Sequence, residues 1–96
     1  QYIINKYPED AEVNEYQINR RGYILMGDKK VALARDLFKI NTILYPGSAN
    51  VYDSYAEACM MNKEYELAIK NYQKSLELDP QNQNAKDMIV KMKGEM

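Results

Sequence analysis

The side chains that could perform chemistry are few, and their spacing does not fit a catalytic site. The single cysteine, Cys59, could act as a nucleophile beside a histidine, but the chain has no histidine. Glu64 and Glu66 could work as an acid and base pair, yet side chains two apart on a helix do not face each other. Cys59 also falls at a predicted helix-packing position, so we expect a buried, unreactive thiol. We therefore predict no catalytic residues.

Other patterns for catalysis and cofactor binding are also missing from the sequence. There is no Gly-x-Ser-x-Gly elbow, no Ser-x-x-Lys pair and no glycine-rich phosphate loop. One cysteine without histidine excludes an intramolecular disulfide and zinc sites built on these residues. We expect a non-catalytic chain with no metal and no cofactor.

The composition indicates a small globular domain. Apolar residues make up 46% and charged residues 28% of the 96 residues. The net charge of −1, with Lys and Glu interspersed, argues against a nucleic-acid partner. No apolar run approaches the roughly 18–20 residues of a membrane span. The chain starts without Met, inside a helix-like stretch, which favours a piece of a longer protein.

A repeat length of 34 residues organises the chain. Pro46 and Pro80 are separated by this distance, and several residues of matching size share the same offset. The matched pairs are Ala34 with Ala68, Phe38 with Tyr72, Leu33 with Leu67, Leu44 with Leu78, Met26 with Met60, and Gly22 with Ala56. Such self-similarity predicts a stack of helix–turn–helix units.

Both copies follow one residue pattern over about residues 14–82. The first copy reads Ile18-x2-Arg21-Gly22-x2-Leu25, Ala34-x3-Phe38 and Pro46, and the second reads Tyr52-x2-Tyr55-Ala56-x2-Cys59, Ala68-x3-Tyr72 and Pro80. This pattern resembles the tetratricopeptide repeat (TPR) family. The departures from the family pattern are Arg21, Leu25 and Cys59. The resemblance implies an all-α fold of antiparallel helix–turn–helix repeats in a right-handed superhelix with a C-terminal capping helix.

The helices are predicted near 15–27, 29–44, 49–61 and 64–78, with an amphipathic capping helix over 83–93. Asn14 and Gln17 form a capping-box-like start, and we expect Asp28 and Ser48 to cap the second and third helices. As one domain, the chain divides into residues 1–13 (the end of an upstream helix and a linker), repeat 1 (14–47), repeat 2 (48–81) and the cap (82–96).

The repeat positions have predicted structural roles. Gly22 and Ala56 are expected where the two helices of a repeat cross, opposite the small residues Ala34 and Ala68. Phe38 and Tyr72 are expected to be the bulky residues that reach the next repeat. Pro46 and Pro80 end the second helices, because proline cannot continue a helix.

In the TPR family, the first helix of each repeat lines a concave groove that takes extended or helical peptides. Carried over by position, the first copy contributes Tyr16, Asn19, Arg20, Tyr23 and Met26, and the second contributes Asn50, Asp53, Ser54, Glu57 and Met60. The alternative is that the Tyr rings pack on residues 1–8 and bind nothing. Asn19 and Tyr23 do not support the carboxylate clamp of chaperone-binding TPR domains.

Three stretches carry a closer resemblance: Asn19–Tyr23, Tyr45–Ser54 and Glu66–Tyr72. They resemble the C-terminal TPR tails of bacterial β-lactamase-like serine hydrolases and esterases. This resemblance implies an upstream catalytic domain, a bacterial source, and the periplasm or a secreted state over the cytoplasm. The expected partner is a peptide, a protein or that upstream domain. The alternative is a self-association module, forming a homodimer through apolar ends that two repeats leave bare.

Overall fold

The computed structural model describes residues 14–95, which form five α-helices and no strand. They are α1 (Glu15–Gly27), α2 (Val31–Leu44), α3 (Ala49–Met61), α4 (Tyr65–Leu78) and α5 (Gln83–Glu95). Each helix packs on the next in sequence, and α1 also touches α3. The all-α prediction is confirmed. The predicted end of an upstream helix and linker, 1–13, lies outside the described residues.

α1 ends in a turn with one residue in the left-handed conformation, which was not predicted from the sequence. Lys29 has a positive φ of 64°, the N–H of Lys30 donates to the carbonyl of Leu25 (2.9 Å), and that of Lys29 donates to Met26 (3.0 Å). This is the Schellman pattern, in which the left-handed residue is usually glycine. The second repeat copies it one repeat later, with Lys63 at φ 65°.

These turns correct two predicted helix starts. α2 begins at Val31 and not at 29, because the left-handed Lys29 cannot belong to a right-handed helix. α4 begins at Tyr65, one residue later than predicted. Asp28 was wrongly predicted to cap α2, since it is the C-cap of α1, and the N-cap of α2 is Lys30 without a side-chain bond.

The other predicted caps have mixed outcomes. Asn14 accepts a hydrogen bond from the N–H of Gln17 at 2.9 Å, as the capping-box pattern predicts. Ser48 is the N-cap residue of α3, but its side chain makes no capping bond. Its hydroxyl donates to Oε2 of Glu15 at 2.7 Å, which joins the start of the second repeat to the start of the first.

The small residues predicted at the helix crossings are buried. Ala34, Ala56 and Ala68 are completely buried. Gly22 is buried against the ring of Phe38, so a Cβ added to Gly22 would lie 2.9 Å from Cδ1 of Phe38 and closer still to Cε1 and Cζ. The tightest neighbour of Gly22 is therefore Phe38 of the same repeat, and not the predicted partner Ala34.

The bulky residues and the prolines of the repeat pattern differ in burial. Tyr72 and Phe38 are the two largest side chains that are fully buried, and that they reach the next repeat stays a prediction. Pro46 and Pro80 are exposed and follow the ends of α2 and α4. Each therefore lies just beyond the second helix of its repeat.

One hydrogen bond recurs in both repeats and ties each second helix to the start of its first helix. Nδ2 of Asn41 donates to the carbonyl of Glu15 at 3.1 Å, and Oγ of Ser75 donates to the carbonyl of Ala49 at 2.9 Å. In both pairs the partners are 26 residues apart. A buried polar side chain thus closes each helix pair at the same position.

α5 covers the second repeat. Ala85 and Met92 are fully buried, and Met88 and Ile89 pack against the same core. The charged residues of α5 whose side chains the structure describes are exposed: Lys86, Asp87, Lys91 and Lys93. The amphipathic pattern predicted for residues 83–93 is therefore present, and the helix extends to Glu95.

Candidate protein-binding groove

On the inner face of the molecule, α1 and α3 are joined through side chains. The hydroxyl of Tyr23 donates to Oε1 of Glu57 at 2.8 Å and lies 3.2 Å from Oγ of Ser54. The ring of Tyr23 also packs edge-on against Phe38, with centroids 5.1 Å apart. Burial raises the pKa of Tyr23 to about 12, and the bond to Glu57 and its charge add to the effect. Tyr23 therefore stays protonated and acts as a fixed donor.

The second half of this face is bonded to the start of α5. Nδ2 of Asn82 lies 3.1 Å from Oδ1 of Asp53 and 3.0 Å from Oγ of Ser75. Nδ2 of Asn84 lies 3.4 Å from the same Asp53 oxygen. Asn82 and Asn84 were not among the groove residues predicted from the sequence. A signal was available, because Asn84 stands one repeat after the predicted groove residue Asn50.

Three predicted groove residues remain open to solvent. Tyr16 is 70% exposed, and Arg20 and Asn50 are also exposed. Within residues 14–95 their side chains have no hydrogen bond or ion pair. Tyr16 and Arg20 are four residues apart, so they share one face of α1. Together they form an accessible aromatic and cationic surface.

The other predicted groove residues are covered to different degrees. Met26 and Met60 are half-buried and pack against the core. Asn19 is half-buried, and its Oδ1 is buried without a hydrogen-bond partner among the described residues. Ser54 is almost fully buried. The predicted set thus separates into a bonded or packed floor and an exposed rim of Tyr16, Arg20 and Asn50.

An ion-pair cluster holds α2 to the start of α4. Arg35 reaches Oε1 of Glu64 at 2.9 Å and Oδ1 of Asp36 at 2.8 Å, and Nδ2 of Asn62 donates to Glu64 at 2.9 Å. The hydrogen bonds from Asn62 and then Arg35 lower the pKa of Glu64. The cluster therefore links the first repeat to the second.

The groups first considered for chemistry lie away from the groove rim. Cys59 is fully buried, and burial raises the pKa of its thiol to about 11, with the charge of Glu64 adding to the shift. A neutral, buried thiol is a poor nucleophile. Within the part of the chain that the structure describes, no group of three His, Cys, Asp or Glu residues could hold a metal ion. No helix there is long and apolar enough to cross a membrane.

The stacked helix pairs place the chain among the all-α helical-repeat proteins. Residues 49–82 match the family model described as tetratricopeptide repeat. This segment contains α3, α4 and the turn that ends at Asn82. No curated protein matches the chain. The match supports the TPR family, whose repeats generally mediate protein–protein interaction.

Proposed function

We propose that this chain is a protein-interaction module that binds a peptide or a protein surface in the groove formed by α1, α3 and the start of α5. The observation that carries the proposal is the exposed pair Tyr16 and Arg20 beside the bonded floor of the groove. Within residues 14–95 the side chains of this pair make no hydrogen bond or ion pair. Tyr and Arg are enriched at protein interfaces. In this floor, Tyr23 is already bonded to Glu57 and Asp53 to Asn82. Binding of a ligand therefore orders few additional side chains.

The partner chemistry follows from the exposed groups. A ligand that lies along α1 would place an apolar side chain against the Tyr16 ring and an acceptor, such as a carboxylate or carbonyl, near Arg20. Asn50 offers an amide to a peptide backbone. Either a separate polypeptide or an upstream domain of the same protein could supply such a segment.

The test is a selection of binders from a displayed random peptide library against the full chain. Binding of the selected peptides is then measured to Tyr16→Ala, Arg20→Ala and Ile43→Ala. Ile43 on α2 is the matched control, since it is 67% exposed, close to the 70% of Tyr16. We expect Tyr16→Ala to weaken binding about tenfold or more, equivalent to roughly 1–2 kcal/mol, with Ile43→Ala unchanged. Selected peptides that bind Tyr16→Ala and Arg20→Ala as tightly as the parent chain would refute the proposed groove.

A second candidate function is self-association. It is favoured by exposed apolar side chains on α1 and α2, among them Ile24, Leu33, Ile40 and Leu44. Exposed apolar patches of this kind often mark interaction surfaces. Sedimentation over a wide concentration range decides it, because a monomer at every concentration would exclude a homodimer.

The resemblance to hydrolase tails supports a more specific proposal. The chain would belong to a bacterial serine hydrolase, periplasmic or secreted, and would dock on its catalytic domain. Comparing that protein with and without residues 1–96 tests it. Retained chemistry with lost assembly or solubility supports the proposal, and a longer protein without a hydrolase domain rejects it.

A further inference from the structure

Helices α1 and α2 present an apolar face that no described residue covers, here called the end face. It consists of Ile24 on α1 and Leu33, Leu37, Ile40 and Leu44 on α2. Leu37 is half-buried, and the other four are 52%, 57%, 48% and 54% exposed. The α2 members are spaced four, three and four residues apart, which makes a single stripe along the helix.

The end face points away from the second repeat. Arg35 marks the side of α2 that faces α4, because its guanidinium contacts Glu64. Leu33 and Leu37 each lie two residues from Arg35, and residues two apart on a helix point about 200° apart. The stripe is therefore on the opposite side of α2, where a preceding helix pair would stack.

The second repeat shows how such a face is normally covered. Val51, Tyr55 and Ala58 are buried, whereas their counterparts one repeat earlier, Gln17, Arg21 and Ile24, are exposed. α2 packs on α3 and so supplies the cover for these residues. The first repeat lacks an equivalent cover within residues 14–95, although Leu33 and Leu44 hold the same positions on α2 as Leu67 and Leu78 on α4.

The start of α1 lies beside the C-terminal end of α2. The carbonyl of Glu15 accepts a hydrogen bond from Asn41, and its carboxylate accepts one from Ser48. The chain that precedes Asn14 therefore joins the molecule close to Ile40 and Leu44. Six linking residues, 8–13, can span up to about 20 Å, which exceeds the roughly 10 Å width of a helix.

We propose that residues 2–7 lie on the end face against Ile40 and Leu44. This segment, Tyr2-Ile3-Ile4-Asn5-Lys6-Tyr7, is mostly apolar and precedes Pro8, as the last residues of α2 precede Pro46. The occupant thus resembles the end of α2, the helix that packs on α3 of the next repeat. The segment then leaves the groove free, which opposes the alternative in which Tyr16 packs on residues 1–8. The inference does not depend on peptide binding in the groove.

Disulfide trapping in the full chain tests the proposal directly. Ile4→Cys is combined in turn with Leu44→Cys, with Leu33→Cys and with Tyr16→Cys, at low micromolar concentration under mild oxidation. Leu33 is the matched control, because it lies on the same face about 16 Å further along α2. Cys59 can stay, since it is buried and its thiol pKa is raised to about 11.

We expect an intramolecular disulfide between positions 4 and 44 that forms at least tenfold faster than either control pair. Equal rates at positions 44 and 33, or no disulfide, would overturn the proposal. Faster trapping at position 16 would place the segment in the groove and also overturn it. Disulfides between two molecules would assign the end face to a second copy of the chain and would also overturn the proposal.

Thermal unfolding gives an independent measurement. Ile4→Asp and Leu44→Asp should each lower the unfolding midpoint, and the double variant should unfold no lower than the worse single variant, because either change releases the segment. Leu33→Asp should add its own small shift to that of Ile4→Asp. A midpoint that Ile4→Asp leaves unchanged would overturn the proposal.

Discussion

The hydroxyl of Tyr23 donates to the carboxylate of Glu57, the residue at the same position of the next repeat, 34 residues further along the chain. Equivalent positions of the two repeats are thus direct neighbours on the inner face. Ser54 completes the contact at 3.2 Å. Hydrogen bonds between the two repeats therefore stabilise the floor of the groove, in addition to the packing within each helix pair.

Removing this hydroxyl should weaken the joint between the repeats. Tyr23→Phe keeps the edge contact with Phe38 but deletes the bond to Glu57, so we expect a loss of about 1 kcal/mol in the free energy of unfolding. Urea denaturation measures it. Tyr16→Phe is the control, because the exposed Tyr16 hydroxyl has no partner among the described residues. Equal losses in both variants would contradict the role of the bond.

The small-residue crossings should tolerate no added bulk. Gly22→Leu drives a side chain into the Phe38 ring, and Ala68→Phe overfills a fully buried site, each costing roughly 1–3 kcal/mol or more. Gly27→Ala, where a Cβ meets nothing within 4 Å, is the control. The measurement is the thermal midpoint. A Gly22→Leu variant that melts with the parent protein would show that the assigned helix register is wrong.

Glycine at the two left-handed turn positions should stabilise the chain. Lys29 and Lys63 adopt φ values of 64° and 65°, which carry a steric cost that glycine avoids. After the greater unfolded-state entropy of glycine is subtracted, each substitution should gain about 0.5–1 kcal/mol. Lys30→Gly is the comparison, since Lys30 has an unstrained φ of −96°. Denaturant midpoints that rise for Lys30→Gly as much as for Lys29→Gly would contradict the explanation.

Stability should fall in alkaline solution. The pKa of Cys59 is raised by burial from 9.0 to about 11, and that of Tyr23 from 10.0 to about 12. The unfolded chain therefore releases these protons first, and the folded state loses its advantage as pH rises from about 9 towards 12. Urea unfolding at several pH values measures the decline. Cys59→Ala should remove the part that begins near pH 9, and an unchanged profile would contradict this assignment.

The existence and order of the helices could be predicted because the repeat pattern depends on side-chain size and helical spacing. The start of α2 could not, since a lysine in the left-handed region gives no sequence signal of the kind that glycine gives. The hydrogen-bond partners of polar side chains could not be predicted either. Ser48 is the N-cap residue of α3, but its hydroxyl bonds to Glu15 and not to the backbone of α3. Asn82 bonds to Asp53. Both contacts depend on how the helices pack together, which the local sequence does not reveal.

The outer side of α5 has a consequence for how the array could be lengthened. Val90 stands where Gly22 and Ala56 stand in the two repeats, and it is 72% exposed. A valine there would keep a further helix from approaching as closely as Phe38 approaches Gly22, and Lys86 replaces an apolar neighbour. At the opposite end, Leu33 and Ile40 are apolar and exposed, and a further helix pair could pack there by taking the place proposed for residues 2–7. An engineered third repeat should therefore be accepted before α1 and rejected after α5, so the molecule grows in one direction only.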